Sequence, residues 1–170
     1  MGIADKYYPW AKRLPKKFAV GAATLFGLGK LAAPGTWGAA AGALVYYLAF
    51  ARLNFAAYAI AALALAYFAV GVCDAAERHL GLRDPGMINL DEFAAMPICY
   101  INAFGGAYSV WGIIAGFALF RFFDIKKPLV IYKLQSLEGG LGCVADDVAA
   151  ALATALCLNA AAPFLDFLTL

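Results

Sequence analysis

Charge is scarce in this chain of 170 residues. Only 14% of the residues are Asp, Glu, Lys or Arg, whereas 65% are hydrophobic. A soluble domain has about 25% charged and roughly 45–50% apolar residues. The mean hydropathy of +0.78 points the same way. The composition therefore argues against an ordinary soluble domain and predicts an integral membrane protein.

Other features that are absent or rare exclude further classes of function. The net charge is only +2, and no basic patch alternates with aromatics, which argues against nucleic-acid binding. The chain has one histidine, His79, and its four cysteines form no CxxC pair, so a zinc site of His and Cys ligands is not expected. We interpret the cysteines as reduced, mostly buried thiols. No GxxxxGK[ST] spacing occurs, which argues against a P-loop.

Long apolar runs cover most of the chain. Residues 35–51, 55–73 and 105–120 are almost free of charge, and each is close to the roughly 20 residues that cross a bilayer core. The predicted fold is all-α, a polytopic membrane helix bundle of about five spanning helices. A short re-entrant or interfacial helix is expected near the N-terminus, over 18–28.

The order of apolar and polar segments predicts a single integral-membrane domain over 1–170. Its expected parts are an interfacial or re-entrant segment (1–35), a helical hairpin (36–73), an acidic cytoplasmic segment (74–92), a second hairpin (93–123), a catalytic loop (124–147) and a last helix (148–170). Thr36 is expected to cap the start of the first hairpin. The second hairpin is required if both acidic segments share one face, and Gly105-Gly106 offers its turn.

The positions of the charges predict the orientation. With these spans, every Lys and Arg except Arg52 lies on one face, and positive residues near helix ends prefer the cytoplasm. Every acid except Asp166 lies on or just beneath that face. The acids and bases coincide, as a divalent cation and a phosphorylated ligand would require.

Three acidic groups are candidates for chemistry: Asp84 with Asp91-Glu92, Asp124, and Asp146-Asp147. Carboxylates brought together repel one another unless a cation or proton intervenes, and Mg²⁺ prefers oxygen ligands. Asp146-Asp147 follow a glycine-rich loop, at the expected start of the last helix, so helix capping is an alternative role.

Two cations flank Asp124 in sequence. Arg121 precedes it by one helical turn, and Lys127 follows it just before a proline. These two residues are candidates for clamping a phosphate, and an Arg121–Asp124 ion pair that fixes topology is the alternative. A weaker signal for an anion is the glycine-rich turn that contains Lys30 and ends at Thr36.

At these residues the chain resembles the phosphatidylglycerophosphatase A family. The resemblance is carried by GLGKLAAPGTWGA (27–39), LGLRDPGMINLDEF (80–93), FRFFDIKKPLVI (120–131) and GGLGCVADDVAA (139–150). The chain departs from the family pattern at Ala39 (usually Ser), Ala95 and Ala151 (often Gly), Val130 (usually Pro) and Cys143-Val144 (typically Ile-Met). None of these departures removes a charged group.

The resemblance implies Mg²⁺-dependent hydrolysis of the terminal phosphate of phosphatidylglycerophosphate, a membrane phospholipid, at the cytoplasmic face of the bacterial inner membrane. The catalytic residues it implies are Asp91, Asp124, Asp147, Arg121 and Lys127. The implied metal ligands are Asp84, Asp91, Glu92, Asp146 and Asp147. The implied phosphate contacts are Lys30, Thr36, Arg121, Lys127, Gly139 and Gly140.

Two questions stay open at this point. Attack by water and attack by a carboxylate that forms an aspartyl phosphate are both compatible with these residues. A CDP-alcohol phosphotransferase-like enzyme is an alternative activity, although its DGxxAR motif is only superficially matched at 74–78. A small ion-coupled transporter is a further alternative, but the acids lie in loops and at helix ends.

Overall fold

The computed structural model describes residues 7–103 and 105–164. Within these residues the chain is helical and has no β-strand, which confirms the all-α prediction. Seven α-helices occur: α1 (Lys16–Ala23), α2 (Pro34–Val45), α3 (Phe55–Leu80), α4 (Leu90–Cys99), α5 (Val110–Lys126), α6 (Leu129–Leu134) and α7 (Gly140–Ala161). Short 3₁₀ segments lie at Pro9–Arg13, Leu25–Lys30 and Ala162–Phe164, and a π-turn at Tyr46–Phe50 continues α2.

The N-terminal apolar run forms two short pieces, not one helix over 18–28. Helix α1 ends at Ala23, and a 3₁₀ segment follows in which Leu25 and Phe26 have positive φ angles. The carbonyl of Thr24 accepts hydrogen bonds from the amides of both Gly27 and Gly29, at 3.0 Å each, which stabilises the kink. The side chain of Phe26 is consequently 83% exposed.

The first hairpin starts earlier than expected. Helix α2 begins at Pro34 with Ala33 as its N-cap residue, so the prediction that Thr36 caps it was wrong. Proline at the first helical position already has a helical φ and lacks the amide that would need a partner. The turn at 51–53 precedes Asn54, whose side chain caps α3 by accepting from Ala57 N at 2.9 Å.

Helices extend into the acidic segment 74–92 and into the expected catalytic loop 124–147. Helix α3 continues to Leu80, so the first part of 74–92 is helical and Glu77 is buried. Helix α7 begins at Gly140 rather than at 148, which leaves only a short connection after α6. The segment 124–147 is therefore mostly helical. Residues 165–170 of the expected last helix and Phe104 of the second hairpin lie outside the described residues.

Helix α7 is central, because α3, α4, α5 and α6 all pack against it. Helix α4 also packs closely on α2, where a Cβ at Gly38 or Gly42 would overlap the backbone of α4 or of the residue before it. A Cβ at Gly140 would likewise overlap the backbone of α3. Small residues at such positions let helix backbones approach closely.

Asn89 joins three helix ends. Its backbone amide donates to Ala23 O at the end of α1 (3.0 Å), and its side-chain amide donates to Pro34 O at the start of α2 (3.2 Å). Asn89 itself is fully buried and immediately precedes α4. The start of α4 is thus fixed relative to α1 and α2.

Among the described residues, two helices are long and apolar enough to cross a membrane, namely α3 and α7. In the most apolar window of α3 only 33% of the residues are buried inside the protein, compared with 56% for α7. Helix α3 thus presents most of its apolar surface outward.

Candidate active site

Six carboxylates from four separate parts of the chain lie at one end of the bundle. Asp91 and Glu92 occupy the first turn of α4, Asp124 the last turns of α5, and Asp146 and Asp147 the second turn of α7, while Asp84 lies in the loop after α3. Four of them, Asp91, Asp124, Asp146 and Asp147, are at most 9% exposed. Buried carboxylates are costly unless they have partners.

The carboxylates form two groups of potential metal ligands that share Asp91. In one group, ligand atoms of Asp91, Glu92 and Asp147 all lie within 4.8 Å of one another. In the other, ligand atoms of Asp84, Asp91 and Cys143 meet the same limit. The structure thus brings the acidic segment after α3 together with the start of α7, although more than 50 residues separate them in sequence.

Helical spacing explains the contribution of α7. Cys143 and Asp147 are four residues apart, and Cys143 and Asp146 three, so all three side chains lie on neighbouring positions of one face. The thiol of Cys143 donates a hydrogen bond to Asp91 Oδ2 at 2.9 Å. The sequence predicts Asp146 and Asp147 at the start of the last helix. They lie instead inside α7 and are buried.

Asp84 has a left-handed backbone conformation (φ 42°) and is hydrogen-bonded to two residues of neighbouring segments. Its amide donates to Glu77 Oε1 at 2.6 Å, and its carboxylate accepts from Gln135 Nε2 at 2.9 Å. Arg83 donates to the carbonyl oxygens of Gln135 and Leu137, at 2.8 Å each. The loop after α3 and the loop before α7 are therefore tied together around Asp84.

Arg121 lies between two of the acids. Its Nη1 is 2.6 Å from Asp124 Oδ2 and 3.6 Å from Glu92 Oε1. A Cβ at Gly35, in the first turn of α2, would overlap the Glu92 carboxylate, so this glycine leaves the space that the pair occupies. The Arg121–Asp124 ion pair that the sequence left open is present.

Lys127 pairs with another acid of the group, Asp146. Its Nζ lies 2.5 Å from Asp146 Oδ2. Partial burial tends to lower the pKa of Lys127, but the hydrogen bond and charge of Asp146 outweigh this and raise the pKa above its usual value. Lys127 is therefore a protonated cation at neutral pH.

The acids outnumber their cationic partners. Asp91 and Glu92 precede the apolar run 93–123. Burial raises the pKa of Asp91, and burial together with the charge of Asp91 raises the pKa of Glu92. Glu92 Oε2 and Asp146 Oδ1 are buried and have no hydrogen-bond partner among the described residues. Unpartnered buried carboxylate oxygens fit a divalent cation, and the all-oxygen set Asp91, Glu92 and Asp147 has the donor chemistry that suits Mg²⁺.

Other residues expected at the phosphate lie in different settings. Lys30 lines an open groove with Lys16 and Lys17 beside α1. Thr36 is half-buried in the first turn of α2, near Gly35. The backbone amide of Gly140 donates a hydrogen bond to Asp74 Oδ1 at 3.4 Å. Gly139, the N-cap residue of α7, has a positive φ.

Several residues around the site were missed by sequence reasoning. Cys143 was interpreted only as a buried thiol, and the contacts of Arg83 and Gln135 had no signal in the sequence. Glu77 carried the best available signal, because an acid one helical turn after Asp74 is unusual at the end of a long apolar run.

An all-helical chain with a buried carboxylate cluster and two adjacent cations has the residues that metal-assisted phosphate chemistry requires. The model of a family described as phosphatidylglycerophosphatase A matches residues 21–162. The chain is 37% identical over 121 residues to a phosphatidylglycerophosphatase A of Haemophilus influenzae, covering 71% of this chain and 73% of that protein. The corresponding enzyme of Escherichia coli is 30% identical over 124 residues, 72% of this chain and 70% of its own.

A third relative, from Bacteroides thetaiotaomicron, is described as a putative phosphatidylinositol-3-phosphatase and is 35% identical over 122 residues, 69% of this chain and 76% of that protein. No solved structure matches the chain. The chain belongs to the phosphatidylglycerophosphatase A family, and it is a phosphatase, that is, a phosphoric monoester hydrolase. The phosphotransferase and transporter alternatives have no support from these relatives.

Proposed function

We propose that this chain is a Mg²⁺-dependent phosphatidylglycerophosphatase, which hydrolyses the terminal phosphate of phosphatidylglycerophosphate to give phosphatidylglycerol and inorganic phosphate. The main support is the convergence of the acids on α4 and α7, beside Arg121 and Lys127, in a chain of this family. That arrangement offers ligands for a cation and positive charges for a phosphate at the same place.

Asp91, Glu92 and Asp147 would hold the Mg²⁺ ion, with Asp84 and Asp146 beside them. When bound, Mg²⁺ supplies positive charge that stabilises the phosphoryl group during transfer. Lys127, a protonated cation, and Arg121 neutralise the remaining phosphate oxygens. Asp124, 2.6 Å from Arg121, orients the guanidinium group.

Hydrolysis also needs a base or a nucleophile. One of the carboxylates Asp91, Asp124 and Asp147 either accepts a proton from the attacking water or attacks phosphorus directly and is released by water in a second step. Rapid quenching with labelled substrate distinguishes the two routes, because only the second leaves phosphate on the protein.

The proposed membrane arrangement has five spans, with the N-terminus and the active site on the cytoplasmic face of the bacterial inner membrane. Helices α2, α3, α5 and α7 all carry large apolar side chains that the protein itself leaves exposed, among them Leu44 (56%), Leu63 (70%), Trp111 (65%) and Leu156 (73%). Exposed apolar area on this scale fits contact with lipid. The one-sided distribution of Lys and Arg supports the orientation.

The substrate assignment is tested with purified protein in mixed micelles, by measuring phosphate released from phosphatidylglycerophosphate and, in parallel, from phosphatidylinositol 3-phosphate. We expect Mg²⁺-dependent release from the first lipid, and a loss of about 10²-fold or more in Asp91→Asn, Asp124→Asn and Asp147→Asn. Glu138→Gln, in an exposed loop, is the matched control. Full activity in all three Asn variants would overturn the site, and preference for the inositol lipid would overturn the substrate.

A further inference from the structure

Cys143 lies at the border between the apolar cluster that contains Cys73 and the acid cluster. Its side chain is directed at two carboxylates, with Sγ 2.9 Å from Asp91 Oδ2 and 3.7 Å from Asp84 Oδ1. The residue is only 4% exposed. By contrast, the buried thiol of Cys99 faces the backbone carbonyl of Ala95, and Cys157 is exposed.

A further carboxylate oxygen is available to the same group. Asp146 is 3% exposed, and it follows Cys143 by one helical turn on the same face of α7. Its Oδ2 is taken by Lys127, whereas its Oδ1 is buried and has no hydrogen-bond partner in the described part of the chain. Because the thiol of Cys143 faces Asp84 and Asp91, the Asp146 carboxylate one helical turn further lies on the side of α7 that faces these acids. A buried carboxylate oxygen without a hydrogen-bond partner, one helical turn from this thiol, suits a cation.

We propose that Asp84, Asp91 and Cys143 form a second cation site, completed by Asp146, which binds a thiophilic divalent ion such as Zn²⁺ or Cd²⁺. This site is separate from the Asp91–Glu92–Asp147 group that serves Mg²⁺, and it shares only Asp91 with that group. The inference rests on the proposed function, because Asp91 is a ligand in both the proposed Mg²⁺ site and the second site.

The donor atoms suit such an ion. Zinc lies about 2.3 Å from thiolate sulfur and about 2.0–2.2 Å from carboxylate oxygen, so tetrahedral donors are roughly 3.5 Å apart. The ligand atoms of the three residues lie within 4.8 Å of one another, so small side-chain movements suffice. Sulfur is a poor ligand for Mg²⁺ and a good one for Zn²⁺ or Cd²⁺, so Cys143 selects the softer ions. On binding, the thiol loses its proton to solvent and the sulfur–metal bond forms.

The shared carboxylate predicts an effect on the enzyme. An ion at Cys143 draws on the same Asp91 carboxylate that serves Mg²⁺, so its presence changes the Mg²⁺ dependence of phosphate release. Two cations separated by one carboxylate also repel each other, which weakens the binding of the second.

Cadmium binding to the purified full-length protein tests the proposal directly, through the ultraviolet charge-transfer absorption of a cadmium–thiolate bond. We expect one equivalent of Cd²⁺ to produce this absorption in the unmodified protein. Cys143→Ser, which preserves the size of the side chain, should abolish it. Asp84→Asn should weaken Cd²⁺ affinity by about tenfold or more. Cys157→Ala is the matched control and should leave the absorption unchanged.

An unmodified protein without the absorption, its persistence in Cys143→Ser, or an Asp84→Asn variant with unchanged Cd²⁺ affinity would each overturn the second site. The readout does not depend on turnover, so it is distinct from failure of the proposed function. Protein that binds Cd²⁺ as described but releases no phosphate from phosphatidylglycerophosphate would refute the substrate assignment alone.

Discussion

Replacing Gly35 with alanine should impair catalysis without destabilising the protein. Gly35 lies in the first turn of α2, opposite the pair formed by Glu92 and Arg121. A Cβ at this position would overlap Glu92 Oε1 and would lie only 2.9 Å from Arg121 Nη1. Both groups are the ends of flexible side chains, so they move aside and the backbone stays in place.

The size of the effect follows from this geometry. To restore ordinary contact the Glu92 carboxylate must move by about 1 Å or more, and a misplacement of about 1 Å in a catalytic site can cost roughly 10²-fold in rate. Stability changes little, because alanine gains about 0.5–1 kcal/mol over glycine in a helix and this offsets the crowding. Activity and stability should therefore separate in Gly35→Ala.

The assay combines initial rates of Mg²⁺-dependent phosphate release with thermal unfolding in the same detergent. Gly21→Ala in α1 is the matched control, because its Cβ would meet only Phe26 Cδ1, at an ordinary 3.9 Å. That variant should keep full activity. If Gly35→Ala hydrolyses substrate within about threefold of the unmodified rate, or loses activity only in proportion to unfolded protein, the reasoning is refuted.

Four further changes probe the packing and the site. Gly140→Ala should destabilise the protein by about 1–3 kcal/mol, seen as a lower Tm, because its Cβ would overlap the backbone of α3. Lys127→Met should slow phosphate release by about 10²-fold or more, because Asp146 and the phosphate lose their cation. Mg²⁺ at 100 times its Kd should raise the free energy of unfolding of the chelator-treated protein by about 2.7 kcal/mol. The same addition should not stabilise the Asp91→Asn variant. Gln135→Ala should weaken the Cd²⁺ affinity of the proposed second site by about tenfold, because Asp84 loses a hydrogen bond.

Each of these has a control or a contrary outcome. Gly86→Ala introduces a Cβ that meets nothing within 4 Å and should leave Tm unchanged. Lys127→Arg should retain part of the activity, since the charge is preserved. Equal stabilisation of Asp91→Asn by Mg²⁺ would place the ion elsewhere. A Gln135→Ala variant with unaltered Cd²⁺ affinity would show that Asp84 needs no positioning by Gln135.

The meeting of the two acidic segments could be predicted from the sequence, for a physical reason. Charges in so apolar a chain are costly, so acids that are far apart along the chain share one face where partners and cations are available. The structure brings Asp84, Asp91 and Glu92 together with Asp146 and Asp147, and it places Arg121 and Lys127 beside them.

The start of the last helix could not be predicted in the same way. Glycines at 139, 140 and 142 are typical of a loop, yet α7 starts at Gly140, because Gly140 packs against the backbone of α3 and Gly142 against the backbone of the preceding loop. The need for close approach comes from tertiary packing and leaves no local pattern. For the same reason the burial of Asp146 and Asp147 inside the helix was not apparent.

The surroundings of Asp84 and Cys143 also depended on tertiary structure. Gln135 is a single amide in a polar loop, and its partner Asp84 lies 51 residues earlier in the chain. Cys143 meets Asp91 across 52 residues. Such pairings have no periodicity, so neither composition nor spacing indicates them.

Asn89 has a mechanical consequence for the proposed reaction at a lipid headgroup. Its backbone hydrogen bond joins the end of α1, beside the lysine-lined groove and the exposed Phe26, to the turn that carries Asp91, and its side-chain hydrogen bond joins the start of α2 to the same turn. In the proposed membrane arrangement, a shift of this N-terminal segment among the headgroups would move the carboxylates with it. Asn89 would then link the depth of α1 to the depth at which a substrate phosphate is bound.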